Sequence, residues 1–260
     1  MIAYIESIGL QAPGLEGWQD SLQILLGKTP YESLPLSKYS PQFLPANERR
    51  RTTPTIKLAL RTAEATVQNY THADIASMPT LFCCVDGDTE ISAKMTRAIL
   101  QDEPMVSPIH FHNSVHNAPA GYWMIGQGNQ QAASAISAGQ YQIGNSLIEA
   151  MSQLHETTPK MLLVMYDLPI DPIIETYQPD IQPFGVGLVI SLQKTEKSLA
   201  KLELNLNPGQ KNPPREEWFG ENSAAQLLPL LKTLAQRQNG TFHYPLSDAL
   251  HATLSIATLE

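Results

Sequence analysis

At 260 residues, 42% hydrophobic and 16% charged, the chain can bury a sizeable core in one large α/β domain or two small ones, which excludes a mostly disordered polypeptide. A formal net charge of -8 argues against a nucleic-acid binder, which needs a cationic face to release counterions from phosphate. No apolar run approaches a membrane span, and the opening Ile2-Ala3-Tyr4-Ile5 lacks a basic leader, so neither a transmembrane segment nor a signal peptide is expected.

In chain order, Pro30, Pro35, Pro41 and Pro45 mark an extended surface segment with short turns. Basic residues cluster at its end, Arg49-Arg50-Arg51 with Lys57 and Arg61. A solvated helix approach explains them; the functional alternative is a landing patch for an acidic partner. Thr53 can cap a helix with Pro54 in its first turn, and Ile56, Ala59, Leu60, Ala63 and Val67 make one apolar stripe. Leu81 to Val85 is a short buried strand. It holds both cysteines, Cys83 and Cys84, whose side chains then point to opposite faces, so a disulfide between them is not expected and a reducing cytoplasm is the natural compartment. Thr89 to Gln101 follows as a helix with Ile91, Met95, Ala98 and Ile99 inward.

Beyond the middle of the chain, Ile143, Leu147, Ile148, Met151 and Leu154 recur at helical spacing, and Met161 to Tyr166 is another strand. Val186 to Leu192 is a further strand, and Leu202, Leu204 and Leu206 alternate as in an edge or hairpin strand. Lys211 to Glu217 is the best linker candidate. A helix from Ser223 to about Gln238 and strands near Thr241 and over 253–258 close the chain. Apolar strands alternating with helices imply a sheet covered on both faces.

Two constellations invite an enzyme reading. His110, His112 and His116 form an H-x-H-x3-H cluster; on an extended segment the first two share a face, a ligand geometry for zinc or iron. Polar lining or hydrogen-bonded core histidines explain them without a metal. Asp86-Gly87-Asp88-Thr89 follows an apolar strand as in phosphotransferases of the haloacid dehalogenase type, where two aspartates hold magnesium. Here the threonine comes one residue too early, and a turn with a helix cap at Asp88 or Thr89 accounts for the same residues. Metal-dependent hydrolysis through these groups is the alternative function; no cofactor is otherwise implied.

The richest stretch runs from Ser107 to Ala150. Ser107-Pro108, Asn117, Ala120-Gly121 and Ile125, with the later Phe184-Gly185-Val186-Gly187 leading an apolar strand, resemble the amino-terminal half of the β-ketoacyl synthases of the thiolase-like superfamily. The resemblance covers roughly residues 1 to 195. It implies a layered α/β/α half-thiolase with a mixed five-stranded sheet over residues 1–207 and a short helix-and-strand extension over 208–260. In that family the nucleophilic cysteine sits at a helix amino terminus, whose dipole lowers the thiol pKa. A gapless register puts Gln140 there, with Ala138-Gly139 before it. An amide is not a nucleophile and cannot carry a thioester. The two histidines that complete ketosynthases supply from their second half have no counterpart, since His251-Ala252-Thr253 lacks the glycine of a His-Gly-Thr motif.

A glutamine at the nucleophile position resembles the chain-length-factor subunits of type II polyketide and aryl polyene systems. The resemblance implies a non-catalytic heterodimer partner of a complete ketosynthase, with acyl carrier protein as a transient partner. It implies tunnel-depth residues at Met95, Ile99, Ile109 and Phe111, and an interface strand over 132–137, including Ser134 and Ile136, beside a helix carrying Asn117, Tyr122 and Trp123. Residual decarboxylation of malonyl carrier protein, with the amide stabilising an enolate, is a third reading.

Overall fold

A computed structural model describes residues 1–174, 180–212 and 218–259. Its elements in chain order are β1 (Ile2–Ala12), β2 (Leu15–Glu16), α1 (Trp18–Leu25), α2 (Ala46–Arg49), α3 (Pro54–Val67), α4 (His72–Ala76), β3 (Thr80–Cys83), α5 (Thr89–Ile99), α6 (Pro108–Asn113), α7 (Ala118–Gln127), β4 (Ala133–Ile136), α8 (Gln142–Ser152), β5 (Lys160–Asp167), β6 (Phe184–Ser191), β7 (Ala200–Pro208), α9 (Leu228–Ala235), β8 (Gly240–Pro245) and β9 (Leu250–Thr258). The strands form one mixed sheet in the order β4-β3-β5-β6-β1-β7-β9-β8, with β2 paired to β1. β3 runs parallel to β4 and β5, whereas β5, β6, β1 and β7 are mutually antiparallel along the sheet.

Among the described residues the sheet therefore has nine strands, not five. The strands expected over 1–207 are β3, β4, β5, β6 and β7; β1 is not among them, and by pairing β6 along most of its length and β7 through Ile2–Ile5 it lets β7, β9 and β8 continue the ladder. Residues 218–259 join the same structure, since β9 pairs with β7 from Ala200 to Pro208 and α9 packs Leu228, Leu230, Leu231 and Leu234 into the same core. The linker expected over 211–217 falls mostly on residues outside those described.

Period-two alternation divides each central strand between two cores. On β5, Met161, Leu163 and Met165 face a core closed by α1, α8 and α9, while Leu162, Val164 and Tyr166 face one closed by α3 and α7. The same rule separates Cys83 from Cys84: both are buried free thiols, one in each core.

The α3 stripe forms as its spacing requires, with Thr53 Oγ1 accepting the Ile56 N–H at 3.2 Å as the helix cap. Its Thr62 and Thr66 lie directly on the sheet at Gly9, Gly185 and Gly187; a Cβ on Gly187 would overlap Thr66 Oγ1, and one on Gly185 would overlap Thr62 Oγ1. The Gly-x-Gly of β6 is thus a close helix–sheet seam. The proline-rich segment is less detached than expected. Its Leu44 is buried, and Phe43 packs edge-to-face on Trp123 of α7 at 5.4 Å between ring centroids. Among the described residues no helix is long and apolar enough to cross a membrane.

Candidate functional site

Because β3, β4 and β5 are parallel, their carboxyl ends lie together at one end of the sheet, the end at which ligand sites of α/β sheets are built. The first part is the turn after β4. Ser137 and Ala138 leave the strand, Gly139 takes the left-handed conformation (φ 52°), and a single turn of 3-10 helix, Gly139–Tyr141, delivers the chain into α8. Gln140 sits on that turn with its side chain exposed. Gln142 is buried and braces it from within: its Oε1 accepts the Ala138 N–H at 2.6 Å, and its Nε2 donates to Ser146 Oγ at 3.1 Å. On the outside, the Tyr141 hydroxyl donates to Asp248 Oδ1 at 2.5 Å, and Asn145 Nδ2 donates to Leu246 O at 3.3 Å, so the β8–β9 hairpin abuts the start of α8.

The second part is the turn after β3. Asp88 Oδ1 accepts the Ile91 N–H at 3.0 Å and caps α5, the structural role open to it in the sequence. Gly87 (φ 67°) brings the turn against His116, whose Nε2 donates to Ile136 O at 3.2 Å. His116 thereby stitches the α6–α7 connection to β4.

The third part is the end of β5, and it holds a residue the sequence reading passed over. Asp167 is 5% exposed; its Oδ1 accepts the Val85 N–H at 2.7 Å and the Cys84 thiol at 3.3 Å. Burial pushes its carboxyl up to about 7, with the N–H groups of Val85 and Ala224 and the Cys84 thiol working against burial, and the nearby Asp86 adding to it. Burial also raises the thiols, Cys83 to about 12 and Cys84 well above the ordinary range, so neither is poised as a nucleophile. The signal available for Asp167 was an acid closing the apolar run Met161 to Tyr166.

The metal constellation does not assemble. His110 and His112 lie on α6, not on an extended segment, because Pro108 after Ser107 starts a helix; residues two apart then point to different sides. Among the described residues no group of three or more His, Cys, Asp or Glu side chains is placed to hold a metal ion. The hydrolase alternative loses its geometric basis.

The proposed tunnel and interface residues separate into two surfaces. Phe111, with Pro108, His112, Val115, Asn117, Gly121 and Ile125, lines a mainly apolar groove of about 510 Å³. Ile109 faces a different cleft of about 490 Å³, with Arg50, Arg51, Lys94 and His110. Met95 and Ile99 on α5 line neither; Met95 is half-buried and Ile99 exposed, against the inward placement expected of it. Tyr122 and Trp123 also depart from expectation. Both are buried in this chain's own core, and the Tyr122 hydroxyl donates to Asn113 Oδ1 at 3.0 Å. The exposed side of α7 is carried by Gly121 and Ile125, next to Asn117. β4 is the edge of the sheet, with Ser134 and Ile136 partly exposed.

The family model described as "Beta-ketoacyl synthase, N-terminal domain" matches residues 27–248. Among solved structures, a ketosynthase in complex with its chain length factor from Xenorhabdus doucetiae aligns at TM-score 0.72 and 22% identity over 98% of this chain and 99% of that one. The ishigamide ketosynthase/chain length factor aligns at TM-score 0.77 and 11% identity over 100% of both chains. A type II polyketide synthase acyl carrier protein complexed with its hexaketide-bound ketosynthase aligns at 0.70 and 10% over 99% of both. No curated protein matches the chain.

Proposed function

From the premise that this chain belongs to the β-ketoacyl synthase N-terminal-domain family, with its thiolase-like fold, we propose that it is a chain length factor: a non-catalytic subunit that pairs with a complete β-ketoacyl synthase and shapes the acyl tunnel. The observation that supports this reading most is the strand–turn–helix at 136–142 with Gln140 exposed on the turn, the position that the resemblance gives to the family's nucleophilic thiol. In this reading residues 1–207 are the ketosynthase-like half and 208–260 an extension on it.

Pairing would use the open edge of β4 for strand addition, with Asn117, Ser134 and Ile136 at the seam and the groove at Phe111 and Ile125 beside it. Tyr122 and Trp123 support that surface from beneath. Phe111 and Ile109, on separate surfaces, and Met95 and Ile99, on α5 outside both, would meet the growing acyl chain only once the partner closes the space between them. The cleft around Arg50, Arg51, Lys94 and His110 suits a transient acidic carrier protein. Two buried free thiols suit the reducing cytoplasm.

The test is condensation on malonyl carrier protein by the co-purified pair. Activity should survive Gln140→Ala, and the product-length distribution should shift with Phe111→Ala. Loss of activity with Gln140→Ala, or an unchanged product on enlarging and shrinking position 111, would contradict the role.

A further inference from the structure

None of the roles above uses Asp167, yet its contacts lead to the turn that carries Gln140. The β3–β4 ladder ends at Cys83 opposite Ile136, extended by one bond from the Cys84 N–H to Ile136 O at 3.3 Å. Past that point Ser137 Oγ donates to Val85 O at 2.7 Å. The N–H of the same Val85 donates to the Asp167 carboxylate. Asp167 is itself held from behind, because Asn222, also buried, donates through Nδ2 to Asp167 O at 3.1 Å and to Gln182 O at 2.8 Å. The Gln140 turn is therefore gripped on two sides: by Gln142 through Ala138, and by Asp167 through Val85 and Ser137. A carboxyl taken out of water, with one peptide N–H and one thiol on Oδ1 and its Oδ2 buried without a well-formed hydrogen bond, is a costly acceptor, so the strand end is not held this way for stability alone.

We propose that Asp167 is the positioning residue of the Gln140 turn, acting through the Val85 backbone and the Ser137 hydroxyl to fix where position 140 faces the partner's acyl tunnel. The second half of that statement rests on the chain-length reading; the first half does not.

The full-length chain with Gln140→Cys supplies a reporter thiol on the turn. Its alkylation rate with iodoacetamide and the amide exchange of residues 138–142 are measured with and without further changes. Asp167→Ala and Ser137→Ala should each speed exchange over 138–142 by about tenfold and alter alkylation by about threefold or more, without adding in the double variant, because both cut one chain of bonds. Asp167→Asn keeps an acceptor for Val85 and should restore both readouts. A lower melting temperature with unchanged exchange and alkylation, or effects of the two variants that multiply, would overturn the proposal. Ser137 is exposed, so Ser137→Ala alone decides the matter if Asp167→Ala does not fold. None of these readouts needs a partner. Failure to bind a ketosynthase would sink the chain-length reading and leave this result standing.

Discussion

The turns at the strand ends and the α6–α7 surface lie side by side in the chain, and they differ in how completely one subunit satisfies them. At the strand ends, Gln142 and Asn222 are buried with hydrogen bonds made within the chain, and buried Asp167 accepts the Val85 N–H through Oδ1. Across the neighbouring surface, Phe111 is 66% exposed and Ile125 56%, with Val115 also open and an unpaired strand edge beyond. A folded monomer rarely leaves so much contiguous apolar surface beside a free strand edge unless something covers it. The first region reads as finished, the second as one side of an interface.

The comparison can be broken most strongly from the finished side. Gly187→Val drives a side chain into Thr66 and should cost about 3 kcal/mol or prevent folding, read by thermal denaturation. A variant as stable as the parent would mean that α3 does not rest on the sheet as described.

Asp167 provides a pH test of the same region. Its folded-state pKa of about 7 lies above the unfolded carboxylate value, so its contribution is fully present below about pH 4 and is lost as pH rises through 7. Relative to the parent, Asp167→Asn should gain stability between pH 5 and pH 8, up to about 4 kcal/mol if the carboxyl titrates without relaxation. A difference between the two proteins that stays flat with pH would show that the carboxyl is not buried.

On the unfinished side the sign of the comparison reverses. Phe111→Ala and Ile125→Ala should move the isolated chain's stability by less than about 0.5 kcal/mol. The same changes should weaken association with a ketosynthase by about tenfold each, by isothermal titration or competition. The smallest effect is expected at Gln140→Ala, which alters an exposed amide and should leave both stability and association within error.

These two regions were also unequally legible in the sequence. The α3 stripe, the capping Thr53 and the strand at 161–166 followed from apolar periodicity and from residues local to each element, whereas the turn at Gln140 came from the family resemblance. The strands at 202–206, 241 and 253–258 were, like α3, legible locally; what was not is β1, which brings β7, β9 and β8 into the one sheet through a pairing between segments about two hundred residues apart. Asp167 was missed for a similar reason: its partners Val85 and Asn222 lie far away in sequence, and an acid after an apolar run looks like a solvated strand end. Tyr122 and Trp123 were assigned to a partner because the pattern of α7 is apolar almost all round, which leaves unsaid which face the chain itself covers. Phe43, from a segment read as surface, covers it.

The central claim is that this chain is one half of a pair, and sedimentation of the purified chain with and without the complete ketosynthase from its own cell tests it most directly. The account predicts a chain that self-associates or aggregates alone and forms a one-to-one complex with the ketosynthase, weakened by Phe111→Ala and unaffected by Gln140→Ala. A soluble, monodisperse monomer with no affinity for the ketosynthase would contradict it.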